Sequence, residues 1–442
     1  MTDVVGAGIC AERDCIVGVV KTALGHASVK ATWQTRGMSL RPLVTAFALL
    51  ALLALLSACV RVNVHDEPPA PQASASLRVA TYNTSLYSDE AGGLIRALQG
   101  DSTQARKIAA VLQRVRPDLV LLNEFDYDAQ GFAADLFQRK YLESAQPGGG
   151  EALRYPYRYL APVNTGVPSG LDLDGNGSAG GDGRARGNDA WGYGLHPGQY
   201  GMLVLSRYPI DVSQVRTFQL LRWSALPAAL RPVVPESGQS FYTDAIWQQL
   251  RLSSKSHWDV PVKTPRGTLH FLVSHPTPPV FDGPEDRNGR RNHDEIKLWA
   301  EYISPGSKPW LCDDQGHCGG LSSDSRFVIA GDLNADPNDG DGYPGAIAQL
   351  LQHPRIDESH IPRSTGASQR AAGHGIERRG DTSTHTGDFG PKAGSLRLDY
   401  VLPSKGIEVI DNAVFWPAED SKDAEITNGS DHRLVWADLR WQ

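Results

Sequence analysis

An α/β sandwich is the fold expected of this chain, on three grounds. Short β-rich runs recur from Leu77 onward between Gly- and Pro-rich loops, helical segments fall between the runs, and no fixed repeat marks a solenoid. The runs are Leu77–Tyr82, Leu119–Leu122, Gly201–Leu205, Leu269–Ser274, Phe327–Ala330, Arg397–Leu402 and Leu434–Leu439. Between the first two, Ser102–Val115 carries apolar residues at helical spacing. Asn292 with Glu295 forms a capping-box start for a second helix reaching about Ile303. No internal break demands two domains, so residues 77–442 are expected to fold as one.

Composition agrees with a loop-rich globular protein. Gly 45 and Pro 29 amount to 74 of 442 residues, below the roughly 25–30% typical of low-complexity disorder. Five cysteines are too few for a disulfide scaffold, and a formal charge of −7 argues against a basic surface that wraps nucleic acid.

The N-terminal segment reads as an export signal. Leu43 to Leu56 is apolar except for Thr45, follows Arg41, and is closed by Leu56-Ser57-Ala58-Cys59. Fourteen residues are short for a membrane span, whereas a basic start, an apolar stretch and small residues describe a signal peptide. Its last four residues resemble the bacterial lipobox, which implies lipidation of Cys59. A plain cleaved signal or a buried helix is the alternative. Met38 stands where such a signal begins, so residues 1–37 are expected to be an upstream extension, 38–59 the signal and 60–76, rich in Pro, Ala and Ser, a tether. Localisation is then the cell envelope, periplasmic or outer surface, or secretion, with a membrane reached only through the lipid. Residues 60–442 keep 38 basic and 47 acidic side chains, about −9. In an exported protein Cys312 and Cys318 are expected to form a local disulfide. A metal site of Cys312, His317 and Cys318 lacks a zinc-ligand spacing.

The chemistry gathers where strands end. Asn83 follows the first run, Glu124 lies just past the second, His275 follows Ser274, and Asp332 and Asn334 follow Ala330. Asp399 sits in Arg397-Leu398-Asp399-Tyr400, and Asp431-His432 precedes the last run. Two histidines, four carboxylates and two asparagines at strand ends suit metal-assisted attack on a phosphate ester. A hard cation takes carboxylate and amide oxygens, a water needs an imidazole, and that imidazole needs a carboxylate to fix its tautomer.

At these residues the chain resembles the endonuclease/exonuclease/phosphatase superfamily. Thr81-Tyr82-Asn83, Leu122-Asn123-Glu124, Leu205-Ser206-Arg207-Tyr208-Pro209-Ile210, Ser274-His275, Gly331-Asp332-Leu333-Asn334, Arg397-Leu398-Asp399-Tyr400 and Ser430-Asp431-His432 stand in that family's order. The resemblance implies a four-layer α/β/β/α sandwich and hydrolysis of a phosphodiester or phosphomonoester with Mg²⁺ first, Mn²⁺ or Ca²⁺ as alternatives. It also implies that Glu124 is the main metal ligand, with Asn83 and Asp431 assisting. His432 would polarise the water or the phosphate with Asp399 as its partner, Asp332 and Asn334 would position the nucleophile and a phosphoryl oxygen, and His275 would donate to the phosphate. Asn123 stands where many members carry Gln.

Two further clusters bear on the substrate. Arg287, Arg290, Arg291 and His293, ahead of the expected helix, are candidates to grip a phosphate, or else a solvated loop. Asp172, Asp174 and Asn176 with Gly177 match the start of a calcium loop, but the twelfth position, Gly183, lacks the required Glu. A looser Ca²⁺ loop or a Gly-rich insert remains.

The sequence holds no Walker loop, Gly-x-Ser-x-Gly elbow, His-Glu-x-x-His or dinucleotide fingerprint. The expected function is a metal-dependent phosphate-ester hydrolase, and the expected state is a monomer. Its substrate classes are nucleic acid, a phospholipid head group or a small ester. The competing class is a non-enzymatic envelope lipoprotein that holds calcium or a partner. A charge of about −9 for residues 60–442 weighs against strong duplex binding, whose affinity comes from neutralising phosphates.

Overall fold

The computed structural model describes residues 76–442, which fall within one unit. The 1–37 extension, the 38–59 signal with Cys59, and all of the 60–76 tether but Ser76 lie outside the described residues. In chain order the strands are β1 (Leu77–Leu86), β2 (Leu119–Phe125), β3 (Tyr157–Tyr159), β4 (Met202–Ser206), β5 (Arg216–Thr217), β6 (His257–Thr264), β7 (Gly267–Ser274), β8 (Phe327–Asp332), β9 (Gly387–Asp388), β10 (Ser395–Leu396), β11 (Asp399–Pro403), β12 (Glu408–Val414) and β13 (Val435–Arg440). One sheet runs β12-β13-β1-β2-β4-β3, a second runs β11-β8-β7-β6-β5, and β9 pairs with β10. The longest helices are α1 (Thr103–Val115) and α2 (Arg287–Ile303).

Side-chain alternation builds the layers. Along β2, Leu119 and Leu121 enter the core between the sheets, while Val120 and Leu122 pack outward with Ile108, Val111 and Leu112 of α1. Along β8, Val328 and Ala330 face the inter-sheet core, and Phe327 and Ile329 join Ile296, Trp299 and Ile303 of α2. Both faces of each sheet are covered, so these strands read as unbroken apolar runs. The result is the four-layer α/β/β/α sandwich. Burying each large side chain contributes about 1.5–3 kcal/mol.

Local signals set most boundaries. Ser102 caps α1 by accepting from the Ala105 amide at 3.2 Å, and Arg116 ends it in the left-handed region at φ 51. The second helix departs from its expected start. It begins at Arg287, and both expected capping residues are buried inside it, serving neighbouring loops. The Asn292 amide donates to the carbonyls of Thr277 and Leu333, and the Glu295 carboxylate accepts from the amides of Ser254 and Thr277. Unmet backbone groups of those loops claim the side chains that a capping box would use. The structure also adds the long strands β6 and β12 and the short β3, β5, β9 and β10, which the β-run pattern did not mark. Pro261 obscures β6; its carbonyl accepts from the Asp211 amide on the outer side, so the missing N–H faces that side and breaks no bond to β7.

Candidate active site

Parallel pairing fixes where the functional residues meet. β1 and β2 run parallel with Asn83 opposite Asn123, and β7 and β8 run parallel with Val273 opposite Ala330, so each pair delivers its following residues to one rim. Antiparallel β11 then sets Asp399 directly across from Asp332. Asn123 ties the sheets together: its Oδ1 accepts from the Asp332 amide at 3.1 Å and its Nδ2 donates to the Ser274 carbonyl at 3.4 Å.

Asp332 is the centre of the constellation. Its Oδ2 accepts from Asn83 Nδ2 at 3.0 Å and lies 3.4 Å from His275 Nε2 and 3.5 Å from His432 Nε2. Its Oδ1 accepts from the Asn334 amide at 3.0 Å, and Asn334 Nδ2 donates to the Pro276 carbonyl at 3.1 Å. Burial pushes the Asp332 carboxyl upward, but His432, His275 and Asn83 outweigh it and hold the group well below the usual carboxylate range.

His432 faces a carboxylate on each side. Its Nδ1 is 2.8 Å from Asp399 Oδ2, an oxygen that also accepts from Thr386 Oγ1 at 2.7 Å. Burial works against its charge, yet Asp399 and Asp332 win and raise its pKa well above the ordinary value. Asp399 is pushed up to about 6 by burial, against the pull of His432. The pair therefore acts as one unit with its proton held on the imidazole. The Phe389 ring stands edge-on to His432 with centroids 5.3 Å apart.

Glu124 supplies the other wall. It occupies the left-handed region at φ 54, as do Ser85 at 49 and Asn334 at 52, so backbone strain gathers at this rim. Its Oε1 accepts from Asn83 Nδ2 at 3.0 Å and lies 4.0 Å from His275 Nε2. Burial pushes its carboxyl up to about 7; Asn83 and His432 oppose, and Asp332 and Asp431 add to the rise. Asp431 is exposed, and its Oδ1 accepts from Ser85 Oγ at 3.2 Å. His275 is buried with no hydrogen-bond partner for either ring nitrogen, and burial followed by Lys255 pushes it down to about 4.

The donor set fits a hard divalent cation. Glu124, Asp332 and Asp431 are mutually repelling carboxylates with oxygen ligands only, and the Glu124 carboxyl titrates high in their company. Glu124 and Asp431 would hold the ion. Asn83 gives its nitrogen to Glu124 and Asp332 and accepts from the Ser85 amide at 3.2 Å, so it orients both carboxylates and as a ligand would offer the second lone pair of its oxygen. Asp332, Asp399 and His432 also bring ligand atoms within 4.8 Å of one another, but their hydrogen bonds mark a proton-holding unit.

The arginine cluster is not a free phosphate grip. Arg287, Arg290 and Arg291 lie in the first turns of α2, and Arg287 pairs with Glu285. Arg290 bonds the Glu285 carbonyl and covers the Tyr343 ring, while Arg291 donates to the carbonyls of Leu252, Trp191 and Arg251. Loop carbonyls and a ring take these groups because the helix starts earlier than expected. In the 172–189 segment, the ligand atoms of Asp172, Asp174 and Asp189 lie within 4.8 Å of one another, and the Asn176 amide donates to Asp172 and Asp174 at 3.2 Å. Asn176 Oδ1 accepts from the Ser178 amide at 2.9 Å. Cys312 and Cys318 form a disulfide. Sequence reasoning missed Thr386, Phe389, Lys255 and Asp189, whose short polar or aromatic signals acquire meaning only from spatial neighbours.

The chain belongs to the endonuclease/exonuclease/phosphatase family, whose model matches residues 80–432. Among solved structures it is similar to an endonuclease/exonuclease/phosphatase from Beutenbergia cavernae, with 18% identity over 83% of this chain and 72% of that one and a TM-score of 0.44. A family protein from Leptotrichia buccalis shows 13% identity over 83% of this chain and 100% of that one, TM-score 0.42. Sphingomyelinase C from Streptomyces griseocarneus shows 18% identity over 83% and 99%, TM-score 0.38. No curated protein matches the chain.

Proposed function

We propose that the protein is a metal-dependent hydrolase of phosphate esters, with phosphodiesters as its first substrate class. The observation that carries this reading is the placement of Asp332 between His275 and His432, with Asn83 joining it to Glu124. A divalent cation at Glu124 and Asp431, Mg²⁺ first with Mn²⁺ or Ca²⁺ as alternatives, would supply positive charge to a phosphoryl oxygen. Asp332, held anionic, orients the attacking water and accepts its proton as the oxygen–phosphorus bond forms. His432, held cationic, donates from Nε2 to the leaving oxygen as the other bond breaks, and Asp399 keeps the Nδ1 proton in place and orients the ring. Asn334 steadies Asp332 through its backbone amide, and His275 faces the developing charge on the phosphoryl group.

The test is hydrolysis of bis-p-nitrophenyl phosphate, plasmid DNA and sphingomyelin by the purified chain across a cation series. Activity on one of these that EDTA abolishes is expected. Activity that survives EDTA overturns the mechanism, and a folded, metal-loaded protein inactive on every phosphate ester favours the binding lipoprotein. We also propose that Cys59 carries a lipid at the cell envelope, on the strength of the apolar run and Leu56-Ser57-Ala58-Cys59. Mass spectrometry of the mature N-terminus tests this; an unmodified Cys59 overturns it.

A further inference from the structure

Lys255 stands two residues ahead of β6. His257 pairs with Ser274 across β6 and β7, so Lys255 and His275 leave the sheet at the same edge. Lys255 is only 5% exposed. Among the described residues, none accepts a hydrogen bond from its ammonium and no carboxylate lies within ion-pair distance. Burial lowers its pKa; Glu295, Glu124 and Asp332 draw it back, in that order.

Glu295 is not its partner by hydrogen bonding. Its Oε1 accepts from the Ser254 amide at 2.6 Å and its Oε2 from the Thr277 amide at 2.6 Å, so backbone donors hold both oxygens. Nearby, Ser254 Oγ, Thr277 Oγ1 and both ring nitrogens of His275 are buried without partners. The Lys255 nitrogen, unlike those atoms, keeps contact with solvent, so its stem is buried while its charged end stays open to the site. Three ammonium donors beside the reaction site, without an acceptor in the chain, call for an anionic oxygen from a ligand.

We propose that Lys255 binds a non-bridging phosphoryl oxygen of the substrate on the His275 side of the site. The inference rests on the phosphate-ester reading above and adds a substrate-binding residue that its motifs do not include. The ammonium joins His275 in facing the phosphoryl group.

Calorimetry of inorganic phosphate binding to the full chain with Mg²⁺, for wild type, Lys255→Met and Lys255→Arg, tests this together with the KM and kcat of the ester that wild type turns over. Lys255→Met is expected to weaken phosphate binding and raise KM on the order of 10–100-fold, as loss of a charged hydrogen bond does. Lys255→Arg should recover part of the affinity. The urea midpoint of Lys255→Met should stay near that of wild type, because the ammonium makes no hydrogen bond or ion pair within the chain that the substitution would remove. An active wild type whose Lys255→Met variant binds phosphate equally well overturns this proposal alone. So does a variant that loses stability with phosphate affinity intact, which makes Lys255 the counter-charge of Glu295. A wild type that neither binds phosphate nor hydrolyses any ester overturns both readings.

Discussion

Nδ1 of His432 lies 2.8 Å from Oδ2 of Asp399, a bond that crosses from one sheet to the other. His432 precedes β13 in the first sheet, and Asp399 opens β11 in the second. The pair can form only when the two sheets are packed, which couples the proton-holding unit to the inter-sheet core.

That coupling gives the first expectation. His432→Ala should lower kcat on the order of 10²–10⁴-fold, as loss of a positioned acid or base does. Asp399→Asn should cost less, and the double variant little more than His432→Ala alone, because the residues work as a unit. Initial rates for the three variants decide it; additive losses would sink the idea.

Thr386 is a positioning residue, since its Oγ1 donates to Asp399 Oδ2 at 2.7 Å and accepts from the amides of Leu398 and Asp399. Thr386→Val should lower kcat about tenfold, the equivalent of one hydrogen bond near 1.4 kcal/mol, with KM unchanged. Thr386→Ser should restore it. A valine variant with an altered KM and normal kcat would show a different role.

Glu124 is crowded by Asp332 and Asp431, and burial raises its carboxyl to about 7. Glu124→Gln keeps the shape but removes a charge that a divalent ion would neutralise. The variant should need on the order of tenfold more Mg²⁺ for half-maximal activity, as ligand charge sets cation affinity. Titration of activity against Mg²⁺ measures this, and an unchanged midpoint would remove Glu124 from the metal site.

His257 offers a stability test away from the rim. It is buried, its Nδ1 lies 2.6 Å from Ser253 Oγ, its Nε2 lies 2.9 Å from the Glu295 carbonyl, and burial pushes its pKa down to about 3. The fold favours the neutral ring, so its contribution is complete above the ordinary value near 6.5 and fades as pH falls toward 3. From pH 7 to 5 the wild type should lose about 2 kcal/mol through this group. Urea unfolding of wild type and His257→Gln at both pH values checks the difference; equal pH slopes would contradict it.

Seven apolar strand runs, the Ser102-capped helix and the order of polar residues that follow strands are legible along the chain. Those features are local: a strand buried on both faces must be apolar throughout, and a cap acts within one turn. Which polar groups touch is settled only in three dimensions. Asn292 and Glu295 look like a cap along the chain, yet serve loop amides and carbonyls in space. That Asn83 joins Glu124 to Asp332 through one amide nitrogen is likewise invisible along the chain. The arginines of α2 look free, yet loop carbonyls hold Arg291. Thr386 and Lys255 carry no pattern at all in one dimension. Hydrogen-bond partners and charge are matters of distance, and residues as far apart as Asn83 and Asp332 become neighbours only when parallel strands end at one rim.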